Sequence, residues 1–286
     1  MPITDSQAIW LDIDGLRLHC LTAGTSGSPV LMLHGGGLDS AVLSWGEVLG
    51  PLAAQHRIFA LDLPGYGQSS RPDLSYTLEF YVRIVTQLLD MLQLEKVSLV
   101  GLSLGGSIAL ALTLAAPERV EKLVLVDTYG IQDKVAAYRL SYVYVHLPFL
   151  DKLSYWLIGR SRALIRWSLL ANLIYDPARL SADLVEQVYQ VAREPGAGKA
   201  FSSLQRGELG WSGLRSNFTT RLHEIAALTL LIHGAQDQAV PLACAKRAQM
   251  LISGAELAIM QECRHWPQRE KPAEFVHIVE SFFDKN

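Results

Sequence analysis

Short apolar runs alternate with segments of helical periodicity in the first and last parts of this chain. The runs are continuously apolar, as in strands buried on both faces of a parallel sheet, and such alternation builds a sheet covered by helices. The predicted strands cover residues 30–33, 57–63, 97–102, 120–126, 228–233 and 256–260. The predicted helices cover residues 77–92, 104–116, 242–252 and 273–283. Together with an N-terminal hairpin that turns at Asp14-Gly15, a frequent hairpin dipeptide, this pattern predicts an α/β fold with a mostly parallel sheet of about eight strands.

The alternation stops between residues 130 and 221, where most of the sequence has helical periodicity. We expect a helical cap (lid) there, inserted into a core domain of residues 1–129 and 222–286. It should pack on the core and line a pocket, because it is rich in large aromatic residues. These are Tyr138, Tyr142, Tyr144, Phe149, Tyr155, Trp156, Trp167 and Tyr175. Two alternatives are an interior part of the same core and a lid that touches a membrane, since Lys152, Arg160, Arg162 and Arg166 lie among the aromatics.

The charge balance does not favour a polyanionic partner. Twenty-five Lys and Arg residues against 28 Asp and Glu give a net charge of −3, so we expect a small-molecule substrate, no nucleic acid and no stable membrane insertion. Three scattered cysteines, Cys20, Cys244 and Cys263, do not form a disulfide framework, and the N-terminus lacks a secretory pattern. Both observations favour a cytoplasmic protein, and they leave the oligomeric state open.

The segment 97–106 (VSLVGLSLGG) places a G-x-S-x-G motif between a predicted strand and a predicted helix. A serine hydroxyl is a weak nucleophile unless it is exposed beside a base, and a sharp strand-to-helix turn exposes it. The residues beside it must be small, as Gly101 and Gly105 are. We therefore predict Ser103 as the nucleophile, and the N–H of Leu104 at the helix start as an oxyanion donor.

The base and the acid are expected in loops that follow later strands. His265 follows the last predicted strand, and Asp237 follows the strand before it, so the chain order is serine, aspartate, histidine. A buried carboxylate would hold His265 in the required tautomer and stabilise its protonated form. Asp127, which also ends a strand, is the competing candidate for the acid.

A glycine loop, His34-Gly35-Gly36-Gly37, follows an early strand. Backbone amides without side chains can point into a site, so the Gly36 N–H is the predicted second oxyanion donor, with Gly35 and Gly37 as alternatives. We expect His34, Gly35, Gly37 and Trp266 to contribute to substrate binding. The sequence contains no metal-ligand cluster, no dinucleotide-binding glycine motif and no phosphate-loop lysine, so we expect no metal and no cofactor.

Nearly the whole chain resembles the α/β-hydrolase superfamily. The similarity is carried by HGGG, by DLPGYGQSSRP (62–72), by GLSLGG, by HGAQDQAVP and by CRHWPQREKP. It implies the α/β-hydrolase fold with a lid between the strands that end near Asp127 and before Asp237. The elbow residue is serine and not the aspartate that dehalogenases and epoxide hydrolases of this fold use.

Within that superfamily, HGGG and HWPQ are similar to the meta-cleavage-product hydrolases, which cleave a carbon–carbon bond in vinylogous 1,5-diketones. In that group a tryptophan follows the catalytic histidine, as Trp266 does here. Two positions differ: Leu38-Asp39 stands where the group tends to have Pro-Gly, and Gln187, with Arg193 nearby, stands where the group has a cap arginine that binds the substrate carboxylate. We therefore expect a serine hydrolase of small esters, with carbon–carbon hydrolysis and a non-catalytic ligand-binding protein as the alternatives.

Overall fold

The sheet organises the whole structure. A computed structural model describes residues 6–135 and 137–285, apart from the side chain of Pro148. In the described residues eight strands form one sheet in the order β1-β2-β4-β3-β5-β6-β7-β8. The strands are β1 (Ser6–Ile13), β2 (Leu16–Ala23), β3 (Pro29–Leu33), β4 (Arg57–Leu61), β5 (Val97–Leu102), β6 (Val120–Val126), β7 (Leu228–Gly234) and β8 (Glu256–Met260). The predicted α/β-hydrolase fold with a sheet of eight strands is confirmed.

Strand β2 runs antiparallel to both β1 and β4, and the strands from β3 to β8 are parallel to one another. The hairpin between β1 and β2 turns at Asp14 and Gly15, whose φ angles of 51° and 73° are the left-handed values that a two-residue turn requires. The parallel strands carry the predicted loops at their carboxyl ends. That edge is where an open α/β sheet binds its ligands.

Twelve helices accompany the strands in the described residues. Those outside the insertion are α1 (Ala41–Trp45), α2 (Leu49–Leu52), α3 (Leu78–Met91), α4 (Leu104–Ala115), α10 (Leu242–Leu251), α11 (Pro267–Glu270) and α12 (Pro272–Phe283). Those between β6 and β7 are α5 (Tyr138–His146), α6 (Pro148–Ile158), α7 (Arg162–Asn172), α8 (Ala182–Arg193) and α9 (Lys199–Glu208). Three short 3₁₀ turns lie at Pro117–Arg119, Pro177–Arg179 and Thr219–Glu224.

Successive residues of a strand point to opposite faces of the sheet, and the two faces build two apolar clusters. Leu31 and Leu33 of β3 pack in the cluster that contains α3, α4 and α10. Val30 and Met32 pack in the other cluster, which contains residues of α1, α2 and α12. Burial on both faces explains why these strands are continuously apolar in sequence.

We use the name cap for helices α5–α9. Several of its side chains, including Ile165, Leu169 and Val188, join the same apolar cluster as Val30 and Met32, so the cap packs directly on the sheet domain. The boundaries of the two domains stay a prediction, and residues 1–5, Ala136 and Asn286 of those domains lie outside the described residues.

The expectation that the cap aromatics turn inward is wrong for most of them. Phe149, Trp156 and Trp167 are 62%, 52% and 67% exposed, whereas Tyr155 lines the main cavity. The helices are apolar on more than one side, so the sequence pattern alone did not identify the covered side. Among the described residues, no helix combines the length and the apolar character needed to cross a bilayer.

Helix α4 approaches β3 so closely that only glycine fits at Gly105. A Cβ added there would lie 2.0 Å from the Leu33 carbonyl oxygen, which is backbone and cannot move aside. We expect Gly105→Ala to lower the free energy of unfolding by about 1–3 kcal/mol. Urea denaturation measures the change.

The matched control is Gly207→Ala in α9, where an added Cβ has no heavy atom within 4 Å. This substitution should stabilise the protein by about 0.4–1 kcal/mol, because alanine restricts the unfolded chain. A Gly105→Ala protein as stable as the wild type would contradict the close approach of α4 and β3.

Candidate active site

Ser103 occupies the sharp turn between β5 and α4. Its φ of 50° and ψ of −110° lie outside the regions that non-glycine residues favour. The surrounding backbone holds this conformation: the Ser103 N–H donates to the Val126 carbonyl at 2.9 Å, and the Ser103 carbonyl accepts from the N–H groups of Ser107 and Tyr129 at 3.0 and 3.1 Å. Strained backbone held in this way is common at functional sites.

The structure shows why the residues around Ser103 must be small. A Cβ on Gly101 would lie 2.4 Å from the Gly105 carbonyl oxygen, and a Cβ on Gly106 would lie 2.4 Å from the Thr128 hydroxyl oxygen. The turn therefore closes only with glycine at these positions. Leu104 opens α4, and the first N–H groups of a helix have no acceptor within the helix. Both Ser103 and Leu104 line the main cavity.

His265 and Asp237 meet in the loops after β8 and β7. The Nδ1 atom of His265 lies 2.8 Å from Oδ2 of Asp237, and both residues are buried. The other carboxylate oxygen of Asp237 accepts from the N–H groups of Ala239 and Val240 at 2.7 and 3.3 Å. Burial acts to raise the pKa of Asp237, but the charge of His265, its hydrogen bond and a hydrogen bond from Asp127 outweigh burial and hold the pKa below its usual range. Asp237 is therefore an ionised partner for an imidazole at neutral pH.

Asp127, the competing candidate, lies behind this pair. Its Oδ1 accepts from the Gly234 N–H at 3.0 Å and lies 3.4 Å from Nδ1 of His233. Its Oδ2 is buried and has no donor among the described residues. Burial, followed by the charge of Asp237, raises the pKa of Asp127 well above its usual range. These surroundings favour the protonated, uncharged form of the carboxyl, which can donate a proton to a neighbouring acceptor.

Asp127, Asp237 and His265 place one ligand atom each within 4.8 Å of the others, which is close enough to consider a metal ion. The 2.8 Å distance between His265 Nδ1 and Asp237 Oδ2 is that of a hydrogen bond. His265 and Asp237 are therefore hydrogen-bonded through Nδ1, and the other ring nitrogen of His265, Nε2, remains for a different partner.

The glycine loop is shaped by two buried side chains. The Leu63 N–H donates to Nε2 of His34 at 3.0 Å, so Nδ1 carries the ring proton and donates to the Gly35 carbonyl at 2.7 Å. Asp39 accepts from the Gly35 N–H at 2.8 Å. The Gly35 amide is therefore occupied, and Gly36 and Gly37 remain as candidate oxyanion donors on the cavity wall.

One expected substrate contact, His34, lies off the cavity wall. Its ring nitrogens bind the Gly35 carbonyl and the Leu63 amide. Gly35, Gly37 and Trp266 do line it. The role of Asp39 was missed, although its place directly after the glycine loop was a signal: its carboxylate also accepts from the Ser44 hydroxyl at 2.7 Å and fixes the loop.

A cavity of about 610 Å³ separates the sheet from the cap. Ser103, His265 and Gly36 form its floor, and α9 approaches the floor so closely that a Cβ on Gly36 would lie 2.4 Å from the Phe201 ring. Its wall includes Gln132 and Glu208, two buried polar residues that the sequence analysis did not single out. Gln132 lies in a loop and Glu208 lies on a cap helix, and neither belonged to a sequence pattern that pointed to the cavity.

Comparison with known proteins decides the family. A family model described as alpha/beta hydrolase fold matches residues 28–272. The chain belongs to the α/β-hydrolase family. Together with its relatives, this membership makes the protein an enzyme, a serine hydrolase of the α/β fold.

Several similar proteins act in one kind of reaction. This α/β hydrolase is 33% identical over 276 residues to a 2-hydroxymuconate semialdehyde hydrolase from Pseudomonas sp. (strain CF600), covering 94% of this chain and 90% of that protein. It is 29% identical over 269 residues to a 2-hydroxy-6-oxo-2,4-heptadienoate hydrolase from Pseudomonas putida, covering 93% and 91%. Among solved structures, a mutant meta-cleavage product hydrolase from Pseudomonas fluorescens IP01 matches with a TM-score of 0.81 and 29% identity, covering 96% of this chain and 97% of that one.

Replacement by asparagine should change kcat much more at Asp237 than at Asp127. Asp237→Asn should lower kcat by about 10⁴-fold, because the neutral amide favours the wrong histidine tautomer. Asp127→Asn should change kcat by less than about tenfold, since the surroundings of Asp127 already favour its uncharged form. Steady-state kinetics of both variants measures the difference, and equal losses would contradict Asp237 as the acid.

Stability against pH gives a second readout. The pKa of Asp127 is raised in the folded protein, so the unfolded chain releases this proton first as pH rises, and the native state loses stability above about pH 4. Asp127→Asn should therefore be more stable than wild type at pH 7, and this advantage should shrink toward pH 4. Urea midpoints at the two pH values measure it.

Proposed function

We propose that this α/β hydrolase cleaves a carbon–carbon bond in a vinylogous 1,5-diketone, as the meta-cleavage-product hydrolases do. The observation that carries the proposal is the 33% identity, over 94% of the chain, to a 2-hydroxymuconate semialdehyde hydrolase. Ser103, His265 and Trp266 on the wall of one cavity, with Asp237 hydrogen-bonded to His265, support it. The sequence analysis preferred hydrolysis of a small ester, and the similar proteins favour its alternative.

The reaction requires a nucleophile, a proton carrier and an oxyanion site. After the dienol substrate has become its keto tautomer, His265 accepts the proton of Ser103, and Oγ attacks the reacting ketone carbon. The N–H groups of Gly36 and Leu104 hold the oxyanion, each contributing about 2.7–4 kcal/mol. When the oxyanion collapses, the carbon–carbon bond breaks, its electron pair moves onto the conjugated ketone, and His265 returns the proton to that fragment.

The acyl group that remains on Ser103 is then hydrolysed. His265 removes a proton from water, the hydroxide attacks the acyl carbon, and Ser103 leaves with that proton while the carboxylic acid is released. Asp237 supports both halves of the cycle because it is ionised and stabilises the protonated imidazole. The same groups hydrolyse an ester without the initial tautomer change.

Ester hydrolysis is the second candidate, and the cavity wall favours it. Among the described residues, the wall contains the acidic Asp39 and Glu208 and no lysine or arginine. A dienoate carboxylate would leave water without a cationic partner there, which is costly. Gln187, which aligns with the carboxylate-binding arginine, is exposed and outside the wall, and Arg193 lies over the Tyr189 ring on the same helix.

Two substrates separate the candidates. Wild type should cleave a 2-hydroxy-6-oxo-hexa-2,4-dienoate more efficiently, by kcat/KM, than p-nitrophenyl esters of graded chain length. Ser103→Ala should lower kcat on both by several orders of magnitude, since loss of the nucleophile costs about 10⁶-fold in comparable triads. Fast ester turnover without dienoate cleavage would replace the proposal with the esterase.

A fluorophosphonate probe provides the control against a non-catalytic binding protein. It should label wild type and leave Ser103→Ala unlabelled, because the label forms on the activated hydroxyl. An unlabelled wild type with an intact fold would contradict both enzymatic candidates.

Charge in the cavity gives an independent prediction. Glu208 is held by the Tyr129 hydroxyl at 3.2 Å and the Ser216 hydroxyl at 2.9 Å, and Glu208→Gln keeps its size. The variant should lower KM for the anionic dienoate by about fivefold, equivalent to roughly 1 kcal/mol of repulsion. KM for a neutral p-nitrophenyl ester should stay constant. Equal changes for both substrates would show that Glu208 acts through the fold and not through its charge.

A further inference from the structure

Three successive helices of the cap expose apolar side chains on one side each. In α5 the exposed apolar side chains are Leu140, Val143 and Tyr144, followed by Leu147 at the next turn. This i, i+3, i+4, i+7 spacing is one face of a helix. In α6 and α7 the exposed positions are Phe149, Leu153, Trp156, Leu157, Leu164 and Trp167. Tyr144 also lines the cavity, so we refer to the other nine residues as the apolar cap face.

The exposure is too large and too regular for scattered surface residues. Leu140 is 74% exposed, Phe149 is 62% exposed and Trp167 is 67% exposed. Single exposed apolar residues are ordinary, but a set with helical spacing on three packed helices indicates an interaction surface. Helix α6 contacts both α5 and α7, so the three helices lie side by side in one part of the molecule.

The same helices carry positive charge. Residues 138–172 contain five basic residues and one acidic residue, a net +4, while the whole chain carries −3 and the remainder therefore carries −7. The basic residues are Arg139, Lys152, Arg160, Arg162 and Arg166, and all are exposed. The acidic one, Asp151, is buried and pairs with Arg206 at 2.8 Å. The net charge of the whole chain thus hides a strongly basic surface.

Aromatic and basic side chains are combined directly on this surface. The guanidinium carbon of Arg160 lies 4.0 Å from the centre of the Trp156 ring, and both residues are exposed. Arg162 pairs with Glu186, whereas the described residues offer no ion pair to Arg139, Lys152, Arg160 or Arg166. Tryptophan with arginine and lysine around an apolar helix face is the pattern of a surface that lies in the headgroup region of a bilayer.

We propose that the apolar cap face docks on an anionic lipid surface. The apolar side chains would enter the headgroup and acyl boundary, and the basic side chains would bind anionic headgroups. A second copy of this chain fits less well, since a symmetric pairing of this face would place a net +4 against a net +4. The docking is peripheral and needs no spanning helix.

The location of this face has a consequence for substrate access. The inner sides of the same helices line the cavity through Tyr155, Ile165 and Leu169. A docked cap would therefore place the cavity beside the lipid, where apolar carbonyl compounds accumulate. Docking does not depend on which bond is cleaved, so it stands or falls separately from the proposed function.

Vesicle sedimentation with the full chain tests the proposal. Wild type should bind vesicles of phosphatidylcholine with 30 mol% phosphatidylglycerol, and bind phosphatidylcholine vesicles much more weakly. Each basic residue near an anionic surface contributes about fivefold to binding, so Arg160→Gln with Arg166→Gln should weaken binding by about thirtyfold. Its charge-matched control is Lys96→Gln with Lys246→Gln, exposed positions outside the cap, which should bind as wild type does.

The apolar contribution has its own pair of variants. Phe149→Ser with Trp167→Ser should lose most vesicle binding, and Met250→Ser, a 79% exposed position on α10, should lose none. Turnover of a soluble ester should remain the same in all variants, because none of these residues lines the cavity. That readout shows that the variants are folded.

Three results would overturn the proposal. Wild type that does not sediment with anionic vesicles is one. Equal losses in the cap variants and in their controls are another. The third is a protein that does not bind vesicles but self-associates through Phe149 and Trp167. Analytical ultracentrifugation measures the self-association, which would assign the face to a second copy of the chain.

Discussion

The close packing of α4 on β3 and β5 is the constraint on which the candidate site depends. It leaves no room for a Cβ at Gly101 or Gly105, and it forces the chain through a turn in which Ser103 has a φ of 50°. Such a conformation costs about 1–3 kcal/mol and persists only where the surroundings fix it. The backbone hydrogen bond from Ser103 to Val126 ties the turn to β6, so the sheet holds the serine on the cavity floor.

A second constraint is electrostatic. Two carboxyl groups, Asp127 and Asp237, are buried beside one imidazole, and low-dielectric surroundings do not favour two adjacent negative charges. The structure separates them: Asp237 has the Ala239 and Val240 amides and His265 as partners, while Asp127 has a single backbone donor. Burial and the charge of Asp237 raise the pKa of Asp127, whereas the charge and hydrogen bond of His265 and the hydrogen bond with Asp127 outweigh burial and lower the pKa of Asp237. The surroundings thus favour the ionised form of Asp237 and the uncharged form of Asp127.

The sheet was predictable because its strands are buried on both faces, which leaves continuous apolar runs. The predicted strands 97–102, 120–126 and 256–260 match β5, β6 and β8, whereas the strand predicted to end at 63 ends at Leu61. There the Leu63 amide turns to the His34 ring, a distant contact that local sequence does not encode. Ser103, His265 and Asp237 could be located by motif and chain order, and their catalytic roles stay predictions. The support of the loop by Asp39 and the orientation of the cap depend on tertiary packing.

The cap combines two surfaces that serve different purposes. Its inner side completes the cavity with apolar residues and Glu208, and the described wall lacks a cation that would bind a carboxylate. Its outer side concentrates the cations that the cavity lacks, beside Trp156 and Trp167. Charges interact over about 10 Å at ordinary ionic strength. An anion would therefore be attracted to the basic outer side of the cap and repelled by the acidic groups of the cavity wall. For the proposed dienoate substrate, the described cavity wall therefore offers apolar contacts to the carbon chain and no lysine or arginine to the carboxylate.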